Sequence, residues 1–139
     1  MQNDDVRRWV EAYRAAWVTN APKDIAALFT EKAVYEFRPN DPKPWRGRDA
    51  IVAGWLAEKD APETWRFDFT VLGIMNPMKV NEFGMDVPAG PTAVVQGVTE
   101  YLDKRPTYEN LWLITLDDDG RASHFTEWFM VRKGTGTES

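Results

Sequence analysis

The sequence predicts an α+β fold: three N-terminal helices packed on a curved, mixed or antiparallel sheet. Two observations carry this reading. From Val6 to Trp17 the apolar residues recur at spacings of three and four, the period of one helix face. From Trp65 onward they alternate with polar residues in runs separated by turn formers, the period of half-buried strands. Helices gathered at one end and hairpin-linked strands at the other form an α+β layer arrangement.

Val6, Trp9, Val10, Tyr13, Ala16 and Trp17 define the apolar side of the first helix. Asn3, Asp4 and Asp5 supply a cap and favourable negative charge at its start, and Asn20 closes it. Pro22 suits the opening turn of a second, short helix through Phe29, with Ile25, Leu28 and Phe29 on its apolar face. Ala33 to Arg38 reads as a strand that the Pro39–Pro44 stretch breaks. Trp45-Arg46-Gly47-Arg48 leads into a third helix with Asp49 in its first turn and Ile51, Trp55 and Lys59 on one side; Pro62 stops it. Trp65, Phe67, Phe69 and Val71 alternate with Arg66, Asp68 and Thr70 in the next strand. Thr92–Leu102, Tyr108–Leu116 and Ala122–Arg132 follow, the last two joined by a tight Asp117-Asp118-Asp119-Gly120 turn. The long connection Met75–Pro91 reads as a flap over an apolar edge or a lid over a pocket mouth. Residues 1–133 form one domain, and 134–139 read as a disordered tail with nothing to bury.

Composition narrows the function classes. The chain has 139 residues and no cysteine, which excludes a disulfide framework and a thiolate zinc site and fits a cytoplasmic address. One histidine leaves only carboxylates as further metal ligands, so no metal site and no cofactor are expected. A net charge of −5 with scattered Lys and Arg argues against nucleic acid. No run approaches the ~20 apolar residues of a membrane span, and none reads as a signal peptide. Seven Trp, seven Phe and four Tyr suit a large core, a ligand cavity, or both.

Several segments have a familiar order. Asp24-Ile25-Ala26-Ala27-Leu28-Phe29, Ala33-Val34-Tyr35, Trp45-Arg46-Gly47-Arg48-Asp49-Ala50-Ile51, Asp119-Gly120-Arg121 and Glu127-Trp128-Phe129 together resemble the nuclear transport factor 2-like superfamily, SnoaL-like branch. The resemblance spans residues 4 to 132 and implies a cone-shaped roll enclosing one pocket, with relatives among ketosteroid isomerases, limonene-epoxide hydrolases, scytalone dehydratases and polyketide cyclases. It also includes non-catalytic binding proteins, so fold alone does not give function. Tyr13 matches the isomerase oxyanion donor, but Phe37 and Trp112 stand where that mechanism needs its base and its protonated acid. Tyr35 matches the hydrolase tyrosine and Glu127 its final carboxylate. Phe37 replaces its asparagine, Val98 its arginine, and Glu100 stands for the remaining aspartate. The dehydratase histidine pair is missing, His124 being alone.

Strand parity turns these matches into a pocket. With Glu127 facing inward, Phe125 and Phe129 do too, while His124, Trp128 and Met130 face out. By the same registration Asn110, Trp112, Ile114 and Leu116 face in, as do Val94, Gln96, Val98 and Glu100 and, from the first strand, Tyr35 and Phe37. The expected pocket residues are therefore Trp17, Phe37, Gln96, Val98, Glu100, Asn110, Trp112, Phe125 and Phe129, with Glu127, Tyr13 and Tyr35 as catalytic candidates. A carboxylate among aromatic groups is costly to ionise, which raises its pKa and suits proton transfer near neutrality. The bland alternative is a glutamate that merely accepts hydrogen bonds and holds the fold. Outward Leu111, Leu113, Trp128 and Met130 predict a homodimer through the convex sheet face. The chain thus reads as a cofactor-independent acid–base enzyme for a small hydrophobic, oxygenated molecule, or alternatively as a carrier of such a ligand or a purely structural domain.

Overall fold

The computed structural model describes residues 1–76 and 90–132. The lid or flap segment lies largely outside these residues, and so does the tail.

Helix α1 runs Asn3–Thr19. The Asp5 carboxylate accepts the Gln2 backbone N–H at 2.7 Å, satisfying a donor the helix start leaves open. Asn20 ends it in the left-handed region at φ 51° and donates its N–H to the Ala16 carbonyl. Helix α2 covers only Pro22–Ala26. It ends before Phe29 because that residue begins strand β1, Phe29–Glu36, which pairs in parallel with the last strand at Ala122. Tertiary pairing here overrides the local helical pattern. A two-residue strand β2, Trp45–Arg46, lies antiparallel to Val34 and Tyr35, and was not foreseen from sequence. Helix α3 spans Arg48–Ala57 and buries Ile51 and Trp55; Lys59 lies past its end and is exposed.

Four long strands complete the sheet: β3 Trp65–Met75, β4 Thr92–Tyr101, β5 Tyr108–Leu116 and β6 Ala122–Val131. The order is β2-β1-β6-β5-β4-β3, antiparallel throughout except for the parallel β1–β6 pair. Gly120, at φ 84°, closes the β5–β6 turn as the sequence indicated. A register shift between Val71 and Gly73 interrupts β3. The curved sheet carries the helices on its concave face. The core there is a set of interlocked rings, with Trp9, Phe29, Tyr35, Trp112 and Phe125 all packed around or beside Tyr13.

One register corrects the sequence reading. The β4–β5 hairpin pairs Thr99 with Tyr108, Gly97 with Asn110 and Val95 with Trp112. The odd-numbered residues of β4 therefore share the concave face with Asn110 and Trp112. Gln96, Val98 and Glu100 lie on the convex face instead, where Gln96 is exposed and Glu100 is ion-paired with Arg66. A slip of one residue exchanges every side chain between faces.

Candidate functional site

Three elements bring three oxygens together. Tyr13 comes from the inner face of α1, Tyr35 from β1, and Glu127 from β6. Because β1 and β6 run parallel with Tyr35 opposite Phe125, Glu127 is the next inward residue beyond that pair. The Tyr35 hydroxyl donates to Glu127 Oε2 at 2.6 Å and the Tyr13 hydroxyl to the same oxygen at 2.8 Å. The two phenol oxygens are 2.7 Å apart. Glu127 keeps part of its surface open to a cavity and is otherwise enclosed by protein.

Burial is the main influence on its charge. It pushes the Glu127 carboxyl above the usual carboxylate value, the two phenol hydrogen bonds pull it back, and the nearby Glu58 and Asp60 push it up again. The net direction is upward. Burial first, and then the Glu127 charge, raise the Tyr13 and Tyr35 phenols well above their ordinary value. Both phenols therefore keep their protons across the physiological range.

The cavity holds about 340 Å³, at the small end for a small-molecule site. Trp17, Phe37, Trp45, Trp55, Tyr101, Tyr108, Trp112 and Phe129 form its aromatic walls, with Thr99 and Asn110 as polar points among them. The Thr99 hydroxyl donates to Asn110 Oδ1 at 2.8 Å. Exposed Glu58, Lys59 and Arg105 mark the mouth.

Asp60 ties the rim together. It accepts the Trp17 indole N–H at 3.1 Å and the Tyr101 hydroxyl at 3.2 Å, and it pairs with Arg105 at 2.7 Å. The Arg105 guanidinium lies 3.8 Å from the Tyr101 ring centroid, and Asn20 bridges the Asp60 carbonyl to the Trp55 indole. Trp17 stacks on Trp65 at 3.7 Å.

The structure thus gathers Glu127, Tyr13, Tyr35, Trp17, Phe37, Asn110, Trp112 and Phe129 around one cavity. Phe125 is fully buried behind Tyr13, Tyr35 and Trp112, in the core and not on the cavity wall. Gln96, Val98 and Glu100 are absent from the lining because β4 presents its other face. Sequence reasoning missed Thr99 and Tyr101, whose orientation follows from the hairpin register, and Trp45, which the short β2 strand delivers. It also missed Asp60 and Arg105, which sit on connections and carry no period. His124 faces away, 3.3 Å from the Glu36 carboxylate on the convex side. Among the described residues no group of three His, Asp or Glu side chains converges to hold a metal. A larger surface cleft, about 580 Å³, between the start of α1 and the β5–β6 turn holds none of these candidates.

Comparison with known proteins bears on the fold. No curated protein matches the chain. Among solved structures, an NTF-2 like protein of unknown function from Burkholderia xenovorans LB400 superposes with a TM-score of 0.61 at 13% identity, covering 99% of this chain and 91% of its own. A candidate ketosteroid isomerase from Kribbella flavida DSM 17836 gives 0.59 at 19% identity, over 94% and 82% of the two chains. An LEH-like epoxide hydrolase of M. tuberculosis gives 0.55 at 16%, over 91% and 84%. At these identities the likeness concerns the fold. The SnoaL-like domain family matches residues 10–135, and the chain belongs to that family.

Proposed function

We propose that the protein is a cofactor-independent acid–base enzyme of lyase, isomerase, cyclase or hydrolase type. Its substrate is a small, hydrophobic, oxygenated molecule held in the aromatic cavity. The observation that carries this reading is Glu127: a cavity-facing carboxyl whose pKa burial raises, hydrogen-bonded by two buried phenols. Such a group is placed for proton transfer near neutral pH, and Tyr13 or Tyr35 can donate to an oxygen that gains charge. Asn110 holds the substrate's polar end, and the rings of Trp17, Phe37, Trp112 and Phe129 cover its apolar body. Relatives of the fold include an epoxide hydrolase and a candidate isomerase, which supports chemistry of this broad kind. The proposed partner is a small molecule, not nucleic acid or membrane. No described helix is long and apolar enough to cross a bilayer. A cysteine-free chain of this kind suits the cytoplasm.

The deciding experiment begins with a thermal-shift screen of steroids, terpenoids and aromatic polyketides, since a ligand that binds only the folded state raises the melting point. With a hit in hand, Glu127→Gln should cut turnover by about 10²–10⁴-fold while leaving Kd nearly unchanged. Unchanged turnover would remove Glu127 from the mechanism. A carrier role is the second reading. It is favoured by Phe37, an apolar side chain on the cavity wall where the isomerase resemblance calls for a base.

We further propose a homodimer through the convex face. Leu111 and Trp128 are paired neighbours there, flanked by Leu113 and Met130. Trp128 and Met130 are 45% and 68% exposed, which leaves a large apolar surface that a second copy would cover.

A further inference from the structure

We propose that Glu127 carries a proton in the resting protein, held on Oε2 within a closed ring of hydrogen bonds with Tyr13 and Tyr35, so that the site is loaded as an acid and not as a base. The argument is a proton count. The three oxygens stand 2.6, 2.7 and 2.8 Å apart, so all three edges are hydrogen-bond distances. Each phenol owns one proton, and an ionised carboxylate owns none. Two protons cannot fill three edges. If both phenols pointed at an ionised Glu127, their own oxygens would face each other at 2.7 Å with nothing between them. A proton on Oε2 closes the ring, each oxygen then donating once and accepting once, so that one phenol accepts from Oε2 in this state and only the other donates to it.

The surroundings agree. Glu58 and Asp60, from the end of α3 and the connection after it, face Glu127 with negative charge, and Tyr101 on β4 is a third phenol within its field. The cations at the mouth are Arg105, committed to Asp60 and Asp103, and exposed Lys59. The inward side of β5 brings Tyr108, Asn110 and Trp112, none of which carries a carboxylate or a cation. Among the described residues no cation is hydrogen-bonded or ion-paired to the carboxyl, and burial, followed by the charges of Glu58 and Asp60, pushes its titration upward.

The catalytic meaning of this proton rests on the enzyme reading above; its location does not. A site loaded in this way takes a neutral substrate whose oxygen leaves, or becomes electrophilic, once protonated. Net transfer breaks one O–H bond of the ring and forms one on the substrate oxygen. The ring retains two protons, both donated to the new Glu127 carboxylate.

Infrared difference spectroscopy of the resting protein at neutral pH tests the claim without any substrate. A carboxylic-acid C=O band should be present, be lost in Glu127→Gln, and shift in Tyr13→Phe. Glu36, also buried, lies on the opposite sheet face and would not respond to Tyr13. Should Glu127→Gln fail to fold, ¹³C-glutamate labelling of the wild type and of Tyr13→Phe assigns the band instead. A spectrum holding only ionised carboxylates, or a band indifferent to both substitutions, overturns the proposal. Turnover that survives Glu127→Gln while the band is lost would sink the role of Glu127 in proton transfer and leave the ring intact.

Discussion

A glutamate that accepts from two phenols inside an aromatic cavity is pulled in two directions. Each hydrogen bond to a charged group contributes about 1.5–3 kcal/mol, whereas removing an ion from water costs several kcal/mol even after relaxation. At Glu127 the burial side prevails, and its carboxyl titrates above the ordinary range. The sign for stability follows. A folded-state pKa above the unfolded value gives a contribution that is complete below the unfolded value and is lost as pH rises through the folded one. Glu127→Gln should therefore melt higher than wild type at neutral pH, and the gap should close as the pH falls toward the normal carboxylate range; melting curves across that window check it. Turnover that depends on the protonated acid should fall on the alkaline side of the same titration. Tyr35→Phe and Tyr13→Phe each remove a bond that pulls Glu127 downward, so each should move the midpoint of the pH–rate profile upward. Each should also cost about 1–3 kcal/mol, since the loss leaves a buried partner unpaired, as read by denaturant unfolding.

Element-scale packing explains what could be read from the sequence. Helix α1 was legible because only one of its faces is apolar, and its inner face meets the core as the spacing indicated. Strand β4 was not. Val94, Val95 and Val98 put apolar groups on both of its faces, one set against the core and one on the convex face, so alternation chose no side. The hairpin turn decided the register, and with it the entry of Thr99 and Tyr101 into the cavity. Glu127 was legible because β6 places a single carboxylate between Phe125 and Phe129, whereas Asp60 and Arg105 reach the rim from irregular segments. The α3–β2 contact is tight enough to be tested. A Cβ on Gly54 would lie 2.3 Å from the Trp45 ring, which itself lines the cavity. In an exposed helix Gly→Ala stabilises by roughly 0.5–1 kcal/mol. Here Gly54→Ala should instead destabilise by about 1–3 kcal/mol through overpacking. It should also weaken ligand binding by displacing Trp45, measured by calorimetry with a ligand found in the screen.

At the scale of the whole molecule the sheet has two faces, one covered by helices and one open, with Trp128 and Met130 exposed on it. If a second copy covers the open face, Met130→Glu combined with Trp128→Glu should yield a monomer by analytical ultracentrifugation, with the folded secondary structure retained by circular dichroism. Wild type sedimenting as a monomer at micromolar concentration would refute the dimer. The parallel seam between the first and last long strands also governs how the candidate site comes into being. Tyr35 and Glu127 are 92 residues apart, and Tyr13 and Glu127 are 114 apart. Chains dominated by such distant pairings fold slowly, because loop closure must precede its reward. On a ribosome delivering about 5–20 residues per second, the helices and the central hairpins can begin to organise early. The triangle of Tyr13, Tyr35 and Glu127 cannot exist until the final strand emerges and slots in beside the first. The site should therefore assemble late in refolding, lagging the recovery of helical signal.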